Sequence, residues 1–330
     1  MSGLLKLGAS LLTLSSLSAA TPHSLERRDE CDVLRTVKSW SSFTADEKLA
    51  YQEAAVCLTT VAPKLGIGNS TTLWQEMQYV HMSQVTWIHN VGAFLPWHRY
   101  YVAVNGNFLR DECGYDGPLA YWDESADQEL SDLADADVFQ TTGFGGDGVG
   151  TSQCIEGPFE DVVLHPAAGS TCIYRSLSVD RLSGSSYNNV ETCLSKDTWE
   201  GAWSCIEATP HGAGHSAIGG LEFNVANSPG DPLFFLHHAF IDLLWWRWQA
   251  ADLSTRLNTI SGVNAQSQSQ CTRQNLPCAG PDILDYNGDN GNVTTLNHVL
   301  WMMDISPNVT VADVMNTNST KVCLDYVWEE

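Results

Sequence analysis

The sequence predicts a mainly α protein whose helices are joined by long loops stapled by disulfides. Two observations carry this. Five stretches place apolar residues at three-to-four spacing, the period of a helix with one buried face. Ten cysteines, an even number, run from Cys31 to Cys323 without a single C-x-x-C pair, which favours a disulfide framework over a structural zinc site. At 330 residues and 43% hydrophobic content, the chain can bury a substantial core.

The first predicted helix is "TADEKLAYQEAAVCLTTVAP", from Thr44 to about Pro63, with a threonine cap and acidic residues in the first turn. Trp74 to His89 and Trp97 to Arg110 follow as helices. Between Thr141 and Pro158 the texture changes to "TTGFGGDGVGTSQCIEGP", which formally holds G-x-G-x-x-G at Gly143, Gly145 and Gly148. No strand precedes it and no helix follows, so it reads as a long loop and fails as a nucleotide-binding fingerprint. Thr209 to Ile218 and Pro232 to about Leu253 form a second helix pair, with Thr209-Pro210 read as an N-cap and first-turn proline. After Ala265 the chain is Ser/Gln/Asn-rich and is expected to wrap the domain. No repeat of fixed period occurs.

Residues 1–20 read as a secretory signal: Lys6 is the charged end, Leu7 to Leu17 the apolar run, and Ser18-Ala19-Ala20 the small-residue cleavage region. Arg27-Arg28 marks 21–28 as a candidate propeptide, with His23 in the discarded piece and the mature chain starting at Asp29. Sequons at Asn69, Asn292, Asn308 and Asn318 fit the same exported setting. A net charge of −23 argues against nucleic acid and anionic membranes as partners, because both repel it at long range.

Six of the ten histidines form two clusters, if one of the adjacent pair His237 and His238 is counted. The first is His81, His89 and His98. The second is His211 and His215 with one of that pair. His211 and His215 stand at i, i+4, which puts both rings on one helix face, within reach of a single metal. The zinc-protease motif has the same spacing but places a Glu after its first His, where this chain has Gly212. Gly212, Ala213 and Gly214 are read as leaving room above the site. The phenylalanine, leucine, proline and tryptophan before His98 bury its approach, and a buried imidazole needs a partner. Imidazoles without interleaved carboxylates suit copper rather than bridged zinc or di-iron, and two such triplets suggest a copper pair that shares one O2.

The segments "HNVGAFLPWHR" (89–99) and "DPLFFLHHAFID" (231–242) resemble the two copper signatures of tyrosinases, catechol oxidases and haemocyanins, the type 3 copper proteins. The resemblance extends from about Asp32 to "VCLDYVWE" and is nearest to short fungal secreted polyphenol oxidases. It implies a four-helix bundle core holding a dicopper site, and a single catalytic domain over 29–330 without a C-terminal lid domain. It further implies His81, His89 and His98 as ligands of the first copper, and His211, His215 and His238 as ligands of the second. Phe234 matches the aromatic beside the second copper near the substrate, and Val225 lies in the loop that restricts access there.

The departures from the family pattern are specific. Trp87 stands two residues before His89 where many members carry a cysteine thioether-linked to a ligand, so that cross-link is expected to be absent. Gly106 occupies the place of a Glu eight residues after His98. Glu207 matches the Glu thought to hold a water that deprotonates monophenols, but its usual Asn partner is Gly212, and Ser216 follows His215. A water is best held by two or more polar groups, so o-diphenol oxidation is expected over monophenol hydroxylation.

The resemblance and this departure together predict a secreted catechol oxidase that converts o-diphenols, and o-aminophenols, to quinones with reduction of O2 to water. The alternatives are a tyrosinase that also hydroxylates monophenols and an oxygen carrier of the haemocyanin type. Small phenols and O2 are the expected partners. Of the doublet, His238 shares its helical face with Phe234 and Asp242, whereas His237 is turned by about 100° toward Leu233, Ile241 and Leu244. His238 is therefore expected to bind metal and His237 to pack and hydrogen-bond behind it. Asp242 is expected either to accept the ligand's second N–H or to anchor the helix through Arg99. His165 and His298 are read as structural.

Overall fold

The computed structural model describes residues 31–148, 153–274, 276, 278, 289 and 293–328. The predicted leader, the 21–28 segment and the Asn292 sequon lie outside the described residues.

Strand β1 (Arg35–Ser39) leads into helix α1 (Ala45–Thr60), which Thr44 and Glu47 close with a reciprocal capping box. Helix α2 (Leu73–Ile88) starts at the Thr72 cap and stops where His89 turns extended and Asn90 takes a positive φ of 54°. Helix α3 (Phe94–Cys113) begins three residues before Trp97, because a helix tolerates Pro96 in its first turn, and ends on the left-handed Gly114. Strand β2 (Leu119–Tyr121) and the short α4 (Glu124–Asp127) follow.

The segment before His211 departs from the sequence reading. After α5 (Tyr187–Leu194) the chain is already helical in α6 (Trp199–Ile206), passes through a π-helical turn at Glu207–His211, and continues as α7 (Gly212–Ile218). Thr209-Pro210 is thus mid-run and not a helix start. Pro210 has no N–H to donate, and the wide turn absorbs the missing bond. Helix α8 (Leu233–Ala250) carries the histidine doublet and is buried on nearly all sides.

Helices α2, α3, α6–α7 and α8 form the four-helix core. The later chain wraps it, as expected: β3 (Val299–Leu300) pairs with β4 (Val309–Thr310), and β5 (Leu324–Tyr326) returns to β1. That return completes a parallel three-stranded sheet ordered β2-β1-β5, which the sequence did not suggest. Five disulfides, 31–323, 57–113, 154–172, 193–205 and 271–278, use all ten cysteines.

A buried ion pair locks α3 to α8. Arg99 Nε donates to Asp242 at 2.5 Å, Tyr326 Oη donates to the other Asp242 oxygen, and Arg99 Nη1 reaches Gln249 and the Met315 carbonyl, each at 2.9 Å. Of the two roles read for Asp242, the structure shows the helix anchor. Gly106, where the family pattern has Glu, makes room for that sheet's attachment: a Cβ there would come within 2.7 Å of Leu119 and 2.9 Å of Arg35 Nη1. The glycine-rich loop is bound as well. Arg175 donates to the Phe144 carbonyl at 2.9 Å and grips Asp231 with two nitrogens at 2.7 and 2.8 Å. Asp231 in turn accepts the Leu233 N–H and so fixes the start of α8.

Candidate metal centre

Two groups of imidazoles meet inside the core. His81 (α2), His89 (its C-terminal cap) and His98 (α3) bring one nitrogen each within 4.8 Å of one another; His211, His215, His237 and His238 do the same. The groups adjoin, since His98 stacks on His238 at 4.3 Å between ring centres with an 11° tilt.

Most rings are oriented through Nδ1. His89, His98 and His211 each face the carbonyl four residues back, on Val85, Phe94 and Glu207, at 2.9, 2.8 and 3.0 Å. His81 faces the Ala226 carbonyl at 3.1 Å, and His215 the Glu222 carboxylate at 2.7 Å. A carbonyl only accepts, so Nδ1 carries the proton in the four carbonyl contacts and Nε2 keeps its lone pair. The Nε2 atoms of His81, His98, His211 and His237 and both ring nitrogens of His238 are buried without a protein partner among the described residues. Leaving buried polar atoms unpaired is costly, and a bound cation satisfies them. Burial and the neighbouring imidazoles push His81, His98, His211, His215 and His238 well below the ordinary histidine range, and burial takes His89 to about 4. Neutral imidazole is the form a metal needs.

The doublet is less cleanly divided than its helical phase suggests. His237 does not turn away from the cluster: its ring lies 4.5 Å from that of His215 and 5.4 Å from that of His211. Its Nδ1 is held by Glu124, a fully buried acid that also accepts a 2.6 Å bond from Ser185 Oγ. Gly214 serves this pair, because a Cβ there would stand 2.4 Å from His237 Nδ1 and 2.7 Å from Glu124 Oε1. The small residue therefore clears space behind the cluster, not above it. Gly212 does open outward, with only the Glu207 carbonyl at 3.9 Å.

Phe234 is fully buried, 4.1 Å from the His238 ring and 5.3 Å from that of His81, so it packs between the two groups. Val225 and Glu207 line an open cleft above His89 and His211, together with Asn90, Trp203 and Gln270. Glu207 accepts the Asn90 N–H at 2.6 Å on one oxygen and the Trp203 indole N–H at 2.7 Å on the other, and burial pushes its carboxyl up to about 8. Glu222 and Glu124 were missed in the sequence. Their signal is faint, a single acid in "IGGLEF" and one of two adjacent acids in "AYWDES". His165 and His298 are buried outside both groups, His165 capping the 166–168 turn and His298 facing Asp289.

The donor set fits copper: two adjoining groups of neutral imidazoles, all buried except the half-buried His215, with no carboxylate among them.

Comparison with known proteins agrees. The tyrosinase "Tyrosinase ustQ" of Aspergillus flavus is 29% identical over 307 residues, covering 88% of this chain and 78% of its own. "N-acetyl-6-hydroxytryptophan oxidase ivoB" of Emericella nidulans is 29% identical over 77% of this chain and 87% of its own. Among solved structures, a polyphenol oxidase (mutant G292N) from Thermothelomyces thermophila superposes with a TM-score of 0.72 at 24% identity, covering 91% of each chain. A functional unit of Octopus hemocyanin gives 0.56 at 19%, covering 89% of this chain and 68% of that one. Both share the fold. The common central domain of tyrosinase matches residues 71–251, more than half of the sequence, and the chain belongs to the tyrosinase family of dicopper oxidases.

Proposed function

We propose that the protein is a secreted catechol oxidase that turns two o-diphenols and one O2 into two o-quinones and two waters, and accepts o-aminophenols. In this reading His81, His89 and His98 hold one copper and His211, His215 and His238 the other. When bound, the copper pair supplies the electron exchange between O2 and the phenol. The carbonyls of Val85, Phe94, Ala226 and Glu207 and the carboxylate of Glu222 hold the rings in place before metal arrives. The choice of His238 over His237 follows the spacing of the family motif: both rings keep a buried, unpartnered Nε2, but Glu124 holds His237 through Nδ1 whereas neither nitrogen of His238 has a protein partner. Export is supported by the five disulfides, which persist in oxidising compartments.

The preference for diphenols rests on Glu207. Both its oxygens already take a donor from the protein, and Gly212 offers no amide to hold a water beside it. A diphenol needs no added oxygen and is the easier substrate for such a site. Oxygen uptake by the copper-loaded protein tests this. Turnover of 4-methylcatechol with none of a monophenol is expected; equal turnover of both would make it a tyrosinase, and reversible O2 binding without turnover would make it an oxygen carrier. Gly212→Asn, for which there is space, is expected to add monophenol hydroxylation.

A further inference from the structure

The cleft above His89 and His211 has one rigid apolar wall and one amide wall. Trp203 forms the first. Its indole N–H is tied to Glu207, its ring stacks on Trp199 at 6.4 Å and 19°, and Gly262, at a φ of 107°, lies so close that a Cβ would come within 2.8 Å of the ring. The ring is thus a fixed platform for an aromatic substrate. Gln270 and Gln274, one turn apart on the short helix Gln268–Gln274, which the 271–278 disulfide fastens, line the same cleft.

The hydrogen bonds of Gln270 give this wall a polarity. Its Oε1 accepts both the backbone N–H and the hydroxyl of Ser267, at 2.8 Å each. Its amide NH2 is left as the group to offer to a ligand. Gln274 is exposed on the same face and can donate or accept. Among the described residues that line the cleft, only Glu207 ionises as an acid, and none is a lysine or arginine. The nearest cation in sequence, Arg273, belongs to the same helix but lies outside the lining, and the protein as a whole carries −23.

We infer that this cleft selects o-diphenols whose ring substituent bears a neutral carboxamide, as in N-acylated catecholamines, over those bearing a free carboxylate. The catechol lies against Trp203, and the substituent's carbonyl accepts from the Gln270 amide while Gln274 pairs with its N–H. A carboxylate in the same place meets no cation and a negative protein field. This rests on the catechol oxidase reading and names its substrate class.

The test compares kcat/KM of the copper-loaded chain for N-acetyldopamine, 4-methylcatechol, dopamine and 3,4-dihydroxyphenylacetate at pH 7. N-acetyldopamine is expected to exceed 4-methylcatechol by about three- to tenfold, the range of one neutral hydrogen bond, and the carboxylate by more. In a Gln270→Leu/Gln274→Leu variant the N-acetyldopamine to 4-methylcatechol ratio should fall toward one, through KM. An unchanged ratio overturns the proposal. So does a preference for 3,4-dihydroxyphenylacetate that Arg273→Ala abolishes, since the cation would then be the selector. Should no catechol be oxidised, the oxidase reading fails, but the selectivity is still decided by calorimetric Kd values for N-acetyltyramine against 4-hydroxyphenylacetate. Tighter binding of the amide supports it, and equal or weaker binding refutes it.

Discussion

Replacing Gly214 with alanine should destabilise the protein, while the same change at Gly212, two residues earlier on the same helix, should stabilise it. In either place alanine gains about 0.5–1 kcal/mol of helix propensity over glycine. At Gly212, φ is −62° and a new Cβ would meet only the Glu207 carbonyl, at 3.9 Å, so that gain stands alone. At Gly214 the Cβ would fall 2.4 Å from His237 Nδ1, 2.5 Å from its Cε1 and 2.7 Å from Glu124 Oε1, against an ordinary contact of about 3.5 Å. The ring must move by about 1 Å inside a closed core, where overpacking costs about 1–3 kcal/mol, and the move loosens a fully buried hydrogen-bonded pair as well. The two alanines should therefore differ by about 2–4 kcal/mol. Guanidinium unfolding of the metal-free, disulfide-intact protein measures this as a shift in midpoint at constant slope. A Gly214→Ala protein as stable as the parent would refute the packing argument.

His238→Ala should leave about one copper per chain by metal analysis, whereas His237→Ala should keep two and lose stability; the opposite result exchanges their roles. Asp242→Ala strands the fully buried Arg99 and the Tyr326 hydroxyl, and should cost about 3–5 kcal/mol in the same unfolding assay, with a loss under 1 kcal/mol arguing against the anchor. Stability of the metal-free protein should also depend on pH from both sides. His89 is pushed down to about 4, so between pH 6.5 and about 4 the unfolded chain takes a proton the folded one refuses, and stability drops as pH is lowered by up to about 1.4 kcal/mol per unit from this ring alone. Glu207 is pushed up to about 8, so from pH 4.5 to 8 the folded state keeps a proton the unfolded one has lost, and stability falls as pH rises. Glu207→Gln should gain stability over the parent at pH 8 that it lacks at pH 4.5, read from unfolding midpoints at the two values.

Local patterns made much of this molecule legible in its sequence. The Thr44 cap, the three-to-four spacing of α2, α3 and α8 and the i, i+4 pair at His211 and His215 are all short-range, because a helix is specified within a few turns. The unbroken run from Trp199 to Ile218 was hidden because Pro210 reads locally as a beginning, whereas its surroundings allow a wide turn. Helical phase placed His238 correctly beside Phe234 but not His237, since a ring swings about its Cα–Cβ bond toward whatever partner the fold supplies, here Glu124 from more than a hundred residues away. The same distance explains the other omissions. Arg35 over Gly106, Gln270 in one cleft with Trp203 and the β2-β1-β5 sheet all join residues far apart in the chain, and Glu222 reaches His215 across the turn that ends α7. The sequence by itself determined which side chains are present, the clustered imidazoles among them, and most of the helices that carry them. Only tertiary packing decided which nitrogen of each ring faces inward, because that is set by an acceptor on a different element or a different turn.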